Sequence, residues 1–318
     1  MSSRGSIFIE APARLHFGVL DLTGKLGRSF GGLGAAVPSP SLLLEVAPAD
    51  QMSAQGPDAD RAAEFARRFL DAHRLPGAAR LVVHRAIPSH TGLGSGTQLG
   101  LAVARALAEL HGLPTGPAEL ARAVGRGKRS AIGTWTFALG GFIVEGGRRI
   151  GSEEMAPLLA RFPIHESWRY VVAVPHGARG LSGAAEARAF DQLPPPPAGD
   201  PERVSHLVLM QLLPALVEGD LGSFGQALSS VQRITGGWFA RSQGGVFAPG
   251  PSERLVESMA DWGAAGVGQS SWGPAVYGLV PSEREGRDLA ARVRGALGPE
   301  GVVFEGGFDP GGARVRRG

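Results

Sequence analysis

The stretch Pro88-Ser89-His90-Thr91-Gly92-Leu93-Gly94-Ser95-Gly96-Thr97-Gln98 joins two segments of different periodicity. Before it, residues 80–85 (RLVVHR) are short, apolar and β-branched, the pattern of a strand. After it, Leu99, Val103, Ala106, Leu107 and Leu110 recur on one helical stripe that runs to about His111. Three glycines in five residues let the backbone of such a strand-to-helix turn direct its N–H groups at a ligand. The first turn of the helix adds unpaired amides and the positive end of the dipole. Ser95 and Thr97 add hydroxyls. The chemistry suits a phosphate, and a capped glycine turn without a ligand would carry the same residues.

Outward from this loop, residues 6–10 and 12–17 read as strands, 27–34 (GRSFGGLG) as a glycine-rich loop, 41–46 as a strand and about 58–74 as a helix with Phe65, Phe69 and Leu70 on one face. Downstream, a helix is expected at about 117–126, a hairpin at 139–145 and 147–150, and a strong strand at 169–175. The stretch 193–199 (LPPPPAG) reads as a surface loop. Helices follow at about 201–217, 221–234 and 251–262, then a strand at 274–280, a helix at 282–296 and a strand at 300–305. Helices and strands mix without strict alternation, so the class is α+β. The length of 318 residues suits two lobes, placed at 1–165 and 166–318.

Composition narrows the function. With no cysteine, disulfides, thiolate zinc sites and cysteine nucleophiles are excluded, and a reducing cytosol is compatible. The eight histidines form no H-x₃-H or HExxH pair, so no protein-held metal is expected. Lys plus Arg number 32 against 29 acids, and the excess sits in Arg314, Arg316 and Arg317, a tail read as a solvated, frayed end; a nucleic-acid partner is not expected. No apolar run reaches membrane-spanning length. A Walker A loop fails because Arg122 stands where the first glycine of Gly127-Lys128 would be, and a dinucleotide fingerprint fails because Thr97 follows Gly92 and Gly94 at the last glycine's place.

Three further segments concentrate polar chemistry. Ala13-Arg14-Leu15-His16-Phe17-Gly18 puts Arg14 and His16 on one face of a strand and Leu15 and Phe17 on the other. That basic face meets either an anion or solvent. Gly266-Val267-Gly268-Gln269-Ser270-Ser271-Trp272-Gly273-Pro274 gathers donors beside an indole ahead of a strand. His176-Gly177-Ala178-Arg179-Gly180 follows the strong strand and offers two cations.

The N-terminal strand with its early basic residue, the Pro88–Gly96 loop and the Gly266–Gly273 segment occur in the order and spacing of the GHMP kinase superfamily, which the chain resembles over nearly its whole length. The resemblance implies a ribosomal-protein-S5-like N-terminal lobe and a ferredoxin-like C-terminal lobe. Kinases of that superfamily usually read G-L-G-S-S-A, whereas Gly96, Thr97 and Gln98 follow Ser95 here. They also usually carry an aspartate shortly before a Gly-Gly pair; Gly133 holds that place, ahead of Gly140-Gly141. A kinase lacking the carboxylate loses its group for orienting or deprotonating the acceptor.

ARLHFG, GLGSGTQ and GQSSWGP together resemble the β-ribofuranosylaminobenzene 5′-phosphate synthase family. The implied reaction joins phosphoribosyl pyrophosphate (PRPP) to 4-aminobenzoate with release of carbon dioxide and pyrophosphate, on the route to tetrahydromethanopterin; 4-hydroxybenzoate stays open as the acceptor. On this resemblance Arg14, His16, Gln269 and Trp272 are expected to serve catalysis. Gly92, Leu93, Gly94, Ser95, Gly96, Thr97, Gln98, Arg28, Lys128 and Arg179 are expected to hold the PRPP phosphates, and Phe30, Trp135, Ser270 and Ser271 the aromatic acid. Mg²⁺ is expected to travel with PRPP, with no organic cofactor, in a cytoplasmic homodimer. An ATP-dependent small-molecule kinase of the same fold, and a non-catalytic ligand- or nucleic-acid-binding protein, are the alternatives.

Overall fold

The computed structural model describes residues 5–177, 180, 188–190 and 192–318. The first half is built on one long hairpin. Strand β1 (Ile7–Asp21) runs antiparallel to β2 (Arg28–Ala49), and β3 (Ser53–Gln55) and β4 (Ala78–Arg85) extend the sheet in the order β1-β2-β4-β3. Helix α1 (Ala59–His73) connects β3 to β4, the one parallel pair among the sheet's described strands. Helices α2 (Ser95–His111) and α3 (Pro117–Ala123) follow, with α2 laid on β1 and β2. The stripe read from sequence is buried against them: Leu99, Val103, Ala106 and Leu107 are all covered. Burial of each large side chain contributes about 1.5–3 kcal/mol.

Helix α4 (Ile132–Leu139) enters β5 (Phe142–Glu145), β6 (Arg148–Arg149) and β7 (Leu158–Phe162), where β5 and β6 pair with β2 and β7 with β5. The chain then changes sheets. Strand β8 (Arg169–Val174), β9 (Gly266–Gln269), β10 (Val276–Val280) and β11 (Val302–Gly306) form an antiparallel sheet in the order β11-β8-β10-β9. That order, fourth-first-third-second, is the ferredoxin-like pattern. Helix α5 (Asp200–Leu207), a π-helical stretch (Val208–Leu212), α6 (Leu213–Glu218), α7 (Leu221–Gln243) and α8 (Pro251–Asp261) lie between β8 and β9. Helix α9 (Glu283–Leu297) connects β10 to β11.

Strand alternation divides the second lobe's apolar residues between two cores. Tyr170, Val172 and Tyr277 join the core shared with the first lobe, where Tyr277 meets Phe17 edge-on at 5.0 Å. Val171, Ala173 and Val276 face α8 and α9. The sheets therefore change between β7 and β8 while one core runs through both lobes.

The tail departs from the sequence reading. Arg314–Arg317 is β12, paired with β1 in the register Ile7↔Arg317, so the chain returns to the first sheet instead of fraying. Arg314 meets Glu10 and Asp309, and Arg317 meets Glu109. A boundary at 165 accordingly leaves one strand of the first sheet in the second half. Among the described residues no helix is long and apolar enough to cross a membrane.

Candidate active site

A cleft of about 300 Å³ opens between β1, the loop ahead of α4, α7 and the segment 269–272. Its size suits a small ligand. Arg14 and His16, brought to one face of β1 as alternation requires, form its floor. Arg126, Lys128 and Arg129 line it together with Phe30, Phe190, Phe239 and Trp272. No aspartate or glutamate lines it among the described residues. The aromatic wall interlocks: Trp272 packs edge-on against Phe239 at 4.9 Å and Phe190 at 5.3 Å, and Phe190 against Phe30 at 5.7 Å. The Arg129 guanidinium lies 4.9 Å from the centre of the Phe190 ring.

The Gly92 loop is held by β1 of the first lobe and by the segment around Ser270 of the second. Arg14 donates through its guanidinium to the Gly92 carbonyl, and its backbone N–H donates to Leu93 O at 3.1 Å. Ser270 Oγ donates to the same Gly92 carbonyl at 2.7 Å and accepts from His16 N–H at 3.0 Å. A Cβ at Gly92 would run into the Ser270 carbonyl, and φ is +87° there, so glycine serves close approach and a left-handed backbone at once. Gly94 opens α2, its carbonyl accepting from Thr97 and Gln98 N–H at 3.0 Å each, so the amides of Ser95 and Gly96 lie ahead of the first intrahelical bond. A side chain at Gly96 would collide with Arg61 and Arg126. Positive charge thus surrounds the positive end of α2.

His16 is buried, and burial first, the Arg14 charge second, press its pKa down to about 3, so the imidazole is neutral near pH 7. Its Nε2 lies 3.2 Å from Ser130 Oγ. Behind Ser130 sits Glu145, pushed up to about 7 by burial against the opposing Ala131 N–H and Ser130 hydrogen bonds.

The GHMP kinases N terminal domain model matches residues 60–141, and the GHMP kinases C terminal model matches residues 212–299. The beta-ribofuranosylphenol 5′-phosphate synthase of Methanothermobacter thermautotrophicus is 36% identical, over 98% of this chain and 99% of that protein. That of Archaeoglobus fulgidus is 32% identical, over 89% and 91%. The chain belongs to the beta-ribofuranosylphenol 5′-phosphate synthase family, on the GHMP kinase fold. It is an enzyme family. The crystal structure of a homoserine kinase from Cytophaga hutchinsonii superposes with a TM-score of 0.73 at 17% identity, covering 99% of each chain, a likeness of fold.

In this family member the cleft gathers eight of the residues singled out by sequence: Arg14, His16, Phe30, Thr97, Lys128, Gln269, Ser271 and Trp272. Others are placed differently. Gln98 is fully buried and donates to Gly133 O at 2.9 Å, bracing α2 against α4, so it holds no phosphate. Leu93 is core. Arg28 donates to Gly147 O at 2.9 Å and fixes the β2–β6 pairing outside the cleft. Trp135 donates to Ala156 O at 3.1 Å, and Ser270 is a buried pin between the lobes. Gln269 lines the cleft, but its amide is engaged: Oε1 accepts from Ala248 N–H, and Nε2 donates to Gln243 Oε1 and Ser271 O. It shapes the wall rather than offering a reacting group. Arg179 lies outside the described residues, and His176 reaches Glu300 on the surface at 3.7 Å.

The sequence reading missed Arg126, Arg129, Ser130, Phe190 and Phe239, whose spacing carries no motif. It also missed a groove of about 370 Å³ that shares Phe30, Lys128, Arg129 and Phe190 with the cleft and adds Arg148 and Arg149 from β6. The run Gly147-Arg148-Arg149 beside a predicted hairpin was the available signal.

Proposed function

We propose that this enzyme transfers the phosphoribosyl group of PRPP to the carboxyl-bearing ring carbon of 4-aminobenzoate. The observation that carries the reading is a cleft that brings cations and aromatic rings together in one lining, with no carboxylate among its described lining residues. PRPP needs two anion sites. The head of α2, with Arg14 and Arg126, suits one. The groove of Lys128, Arg129, Arg148 and Arg149 at the cleft's edge suits the other. Mg²⁺ arrives on the pyrophosphate as part of the substrate.

The C–O bond to pyrophosphate breaks, leaving oxocarbenium character at the anomeric carbon. The ring carbon attacks to form the C–C bond. The bond to the carboxylate then breaks, carbon dioxide departs and its electron pair restores the aromatic ring. Arg14 and Arg126 stabilise charge on the departing pyrophosphate. The Trp272–Phe239–Phe190 wall orients the acceptor ring and surrounds its carboxylate with apolar surface, which favours loss of charge as carbon dioxide. The curated relatives are named for a ribofuranosyl phenol, which favours 4-hydroxybenzoate as a second acceptor. The absence of cysteine suits a cytoplasmic setting, and exposed Leu209, Met210 and Val217 offer an apolar face for a homodimer.

The test is product analysis by mass spectrometry with PRPP, Mg²⁺ and either benzoate, beside tubes of ATP with kinase acceptors. Carbon dioxide, pyrophosphate and a ribosylated arene phosphate formed together support the transferase, and the productive tube names the acceptor. ATP consumption with no such product would overturn the reading in favour of a kinase.

A further inference from the structure

Three glutamines line the cleft, and the amides of all three are spent within the protein. Gln232 donates to Phe17 O at 2.7 Å and accepts from Gln269 N–H at 2.8 Å. Gln243 donates to Gly245 O and Val246 O and accepts from the Gln269 amide, whose own oxygen is taken by Ala248 N–H. The amino or hydroxyl group of an aromatic acceptor must be met by another residue.

Thr235 on α7 has the capacity the glutamines lack. It lines the cleft, is 3% exposed and stands one helical turn before Phe239, so the two share a face of α7. Its hydroxyl donates to Val231 O at 2.9 Å, the local bond of a threonine inside a helix. A hydroxyl has one hydrogen and two lone pairs. With its hydrogen on Val231 O, Thr235 Oγ1 offers lone pairs, and among the described residues no N–H or O–H donates to them.

Gly18 keeps this oxygen uncovered. It lies on β1 and also lines the cleft. A Cβ there would meet Val231 Cγ1 at 2.9 Å and stand 3.5 Å from Thr235 Oγ1, so any side chain would lie over the hydroxyl. Phe239, the next turn of α7, meets Trp272 at 4.9 Å. The cleft thus sets a buried hydrogen-bond acceptor one turn, about 5.4 Å, along the helix from its aromatic wall. Of the other hydroxyls in the lining, Thr97 belongs to the head of α2 and Ser130 accepts from Ile132 N–H ahead of α4. Ser271, next to Trp272, is the rival.

We propose that Thr235 is a specificity-determining residue of the acceptor site, its Oγ1 accepting a hydrogen bond from the 4-amino or 4-hydroxyl group of the benzoate. The ligand rests on the transferase reading. A substituent that carries a hydrogen on nitrogen or oxygen satisfies the buried oxygen while Val231 O keeps its bond. A substituent without one leaves that oxygen stripped of water and unpaired. One contact serves amine and phenol alike, so selection falls on the donated hydrogen and not on the element that bears it.

Calorimetry on the full-length protein tests this, with Mg²⁺ and pyrophosphate present so that no transfer occurs. The ligands are 4-aminobenzoate, 4-hydroxybenzoate and 4-methylbenzoate, whose methyl group is close to the other two in size and donates no hydrogen bond. The wild type is expected to bind the first two about tenfold or more tighter than the third. Thr235→Val keeps the shape without the hydroxyl and should bring the three within about threefold, and Thr235→Ser should keep the preference. In turnover, Thr235→Val should raise KM for 4-aminobenzoate about tenfold, with the PRPP dependence within about threefold. A wild type that shows no preference, or binds none of the three, overturns the proposal without any variant. A preference that survives in Thr235→Val, or that Ser271→Ala removes in its place, overturns it as well. Product formation is read separately. Ribosylated arene made without the preference sinks the Thr235 assignment alone. The preference without any ribosylated arene counts against the transferase reading and leaves Thr235 as the residue that reads the substituent.

Discussion

Replacing Glu145 with glutamine makes its burial measurable as a dependence of stability on pH. Below about pH 4.5 the carboxyl is protonated in both the folded and the unfolded chain. As pH rises from there, the unfolded chain releases the proton, whereas the folded chain keeps it until about pH 7. Over that window the folded state binds more protons, so stability falls with rising pH. The stabilising contribution is full below the unfolded value and is lost as pH passes through the folded one. The rise from 4.5 to about 7 corresponds to about 3 kcal/mol at 1.36 kcal/mol per unit. Glutamine has no proton to exchange and keeps an oxygen for Ala131 N–H, so it escapes this loss. Urea denaturation of both proteins in parallel from pH 4.5 to 8 isolates the effect, because all other titrating groups cancel in the difference. The variant should gain about 3 kcal/mol on the wild type across the range. A constant difference would mean that Glu145 ionises in the folded protein as an exposed carboxyl does, and the account of its buried Oε1 would be wrong.

Tyr277 buries a hydroxyl that has no partner, so Tyr277→Phe should be at least as stable as the wild type, gaining about 1 kcal/mol in chemical denaturation; a clear loss would reveal a bond to that oxygen. Arg14→Gln removes a cation from the head of α2 and should raise the PRPP concentration needed for half-saturation about tenfold or more, the scale of one charge-assisted contact, while an unchanged PRPP dependence would remove Arg14 from the phosphate site. Trp272→Ala opens the aromatic wall and should raise KM for the aromatic acid while calorimetry shows PRPP binding retained; unchanged turnover would exclude Trp272 from the site.

What sequence made legible was local. The strand–loop–helix at 80–111 and the shared face of Arg14 and His16 follow from periodicity, and both stand as read. The rest depended on partners remote in sequence. Residues 27–34 read as a loop because of their glycines, yet 28–34 belong to β2, where glycine is required by what presses on it. A Cβ at Gly34 would strike Ile132 of α4 and the Leu15 carbonyl. Helix α4 itself was invisible because it lacks a polar face: Ile132, Gly133, Thr134, Thr136 and Phe137 are all buried. The basic tail looked solvated because its acids, Glu10, Glu109 and Asp309, are not its sequence neighbours except for the last. Apart from Arg14 on β1, the cations of the cleft and groove come from the stretch before α4 and from β6, which the fold of β5 and β6 onto β2 brings together.

The departures from the kinase pattern are physically coupled rather than independent losses. Gly133, in the place expected for the kinase aspartate, is buried, and a Cβ there would lie 3.0 Å from the Thr97 methyl. Its carbonyl accepts from Gln98 Nε2. Thr97 and Gln98 are two of the three residues, with Gly96, that set this loop apart from the kinase wording. Thr97 occupies the space that a side chain at 133 would need, and Gln98 uses the backbone that such a side chain would disturb. Restoring an aspartate alone would overpack this junction, so the loop and position 133 must change together. The cleft keeps Arg14, neutral His16 and the cations Arg126, Lys128 and Arg129 in its lining. Those suit a reaction whose difficulty is charge on a leaving group rather than a proton on a hydroxyl.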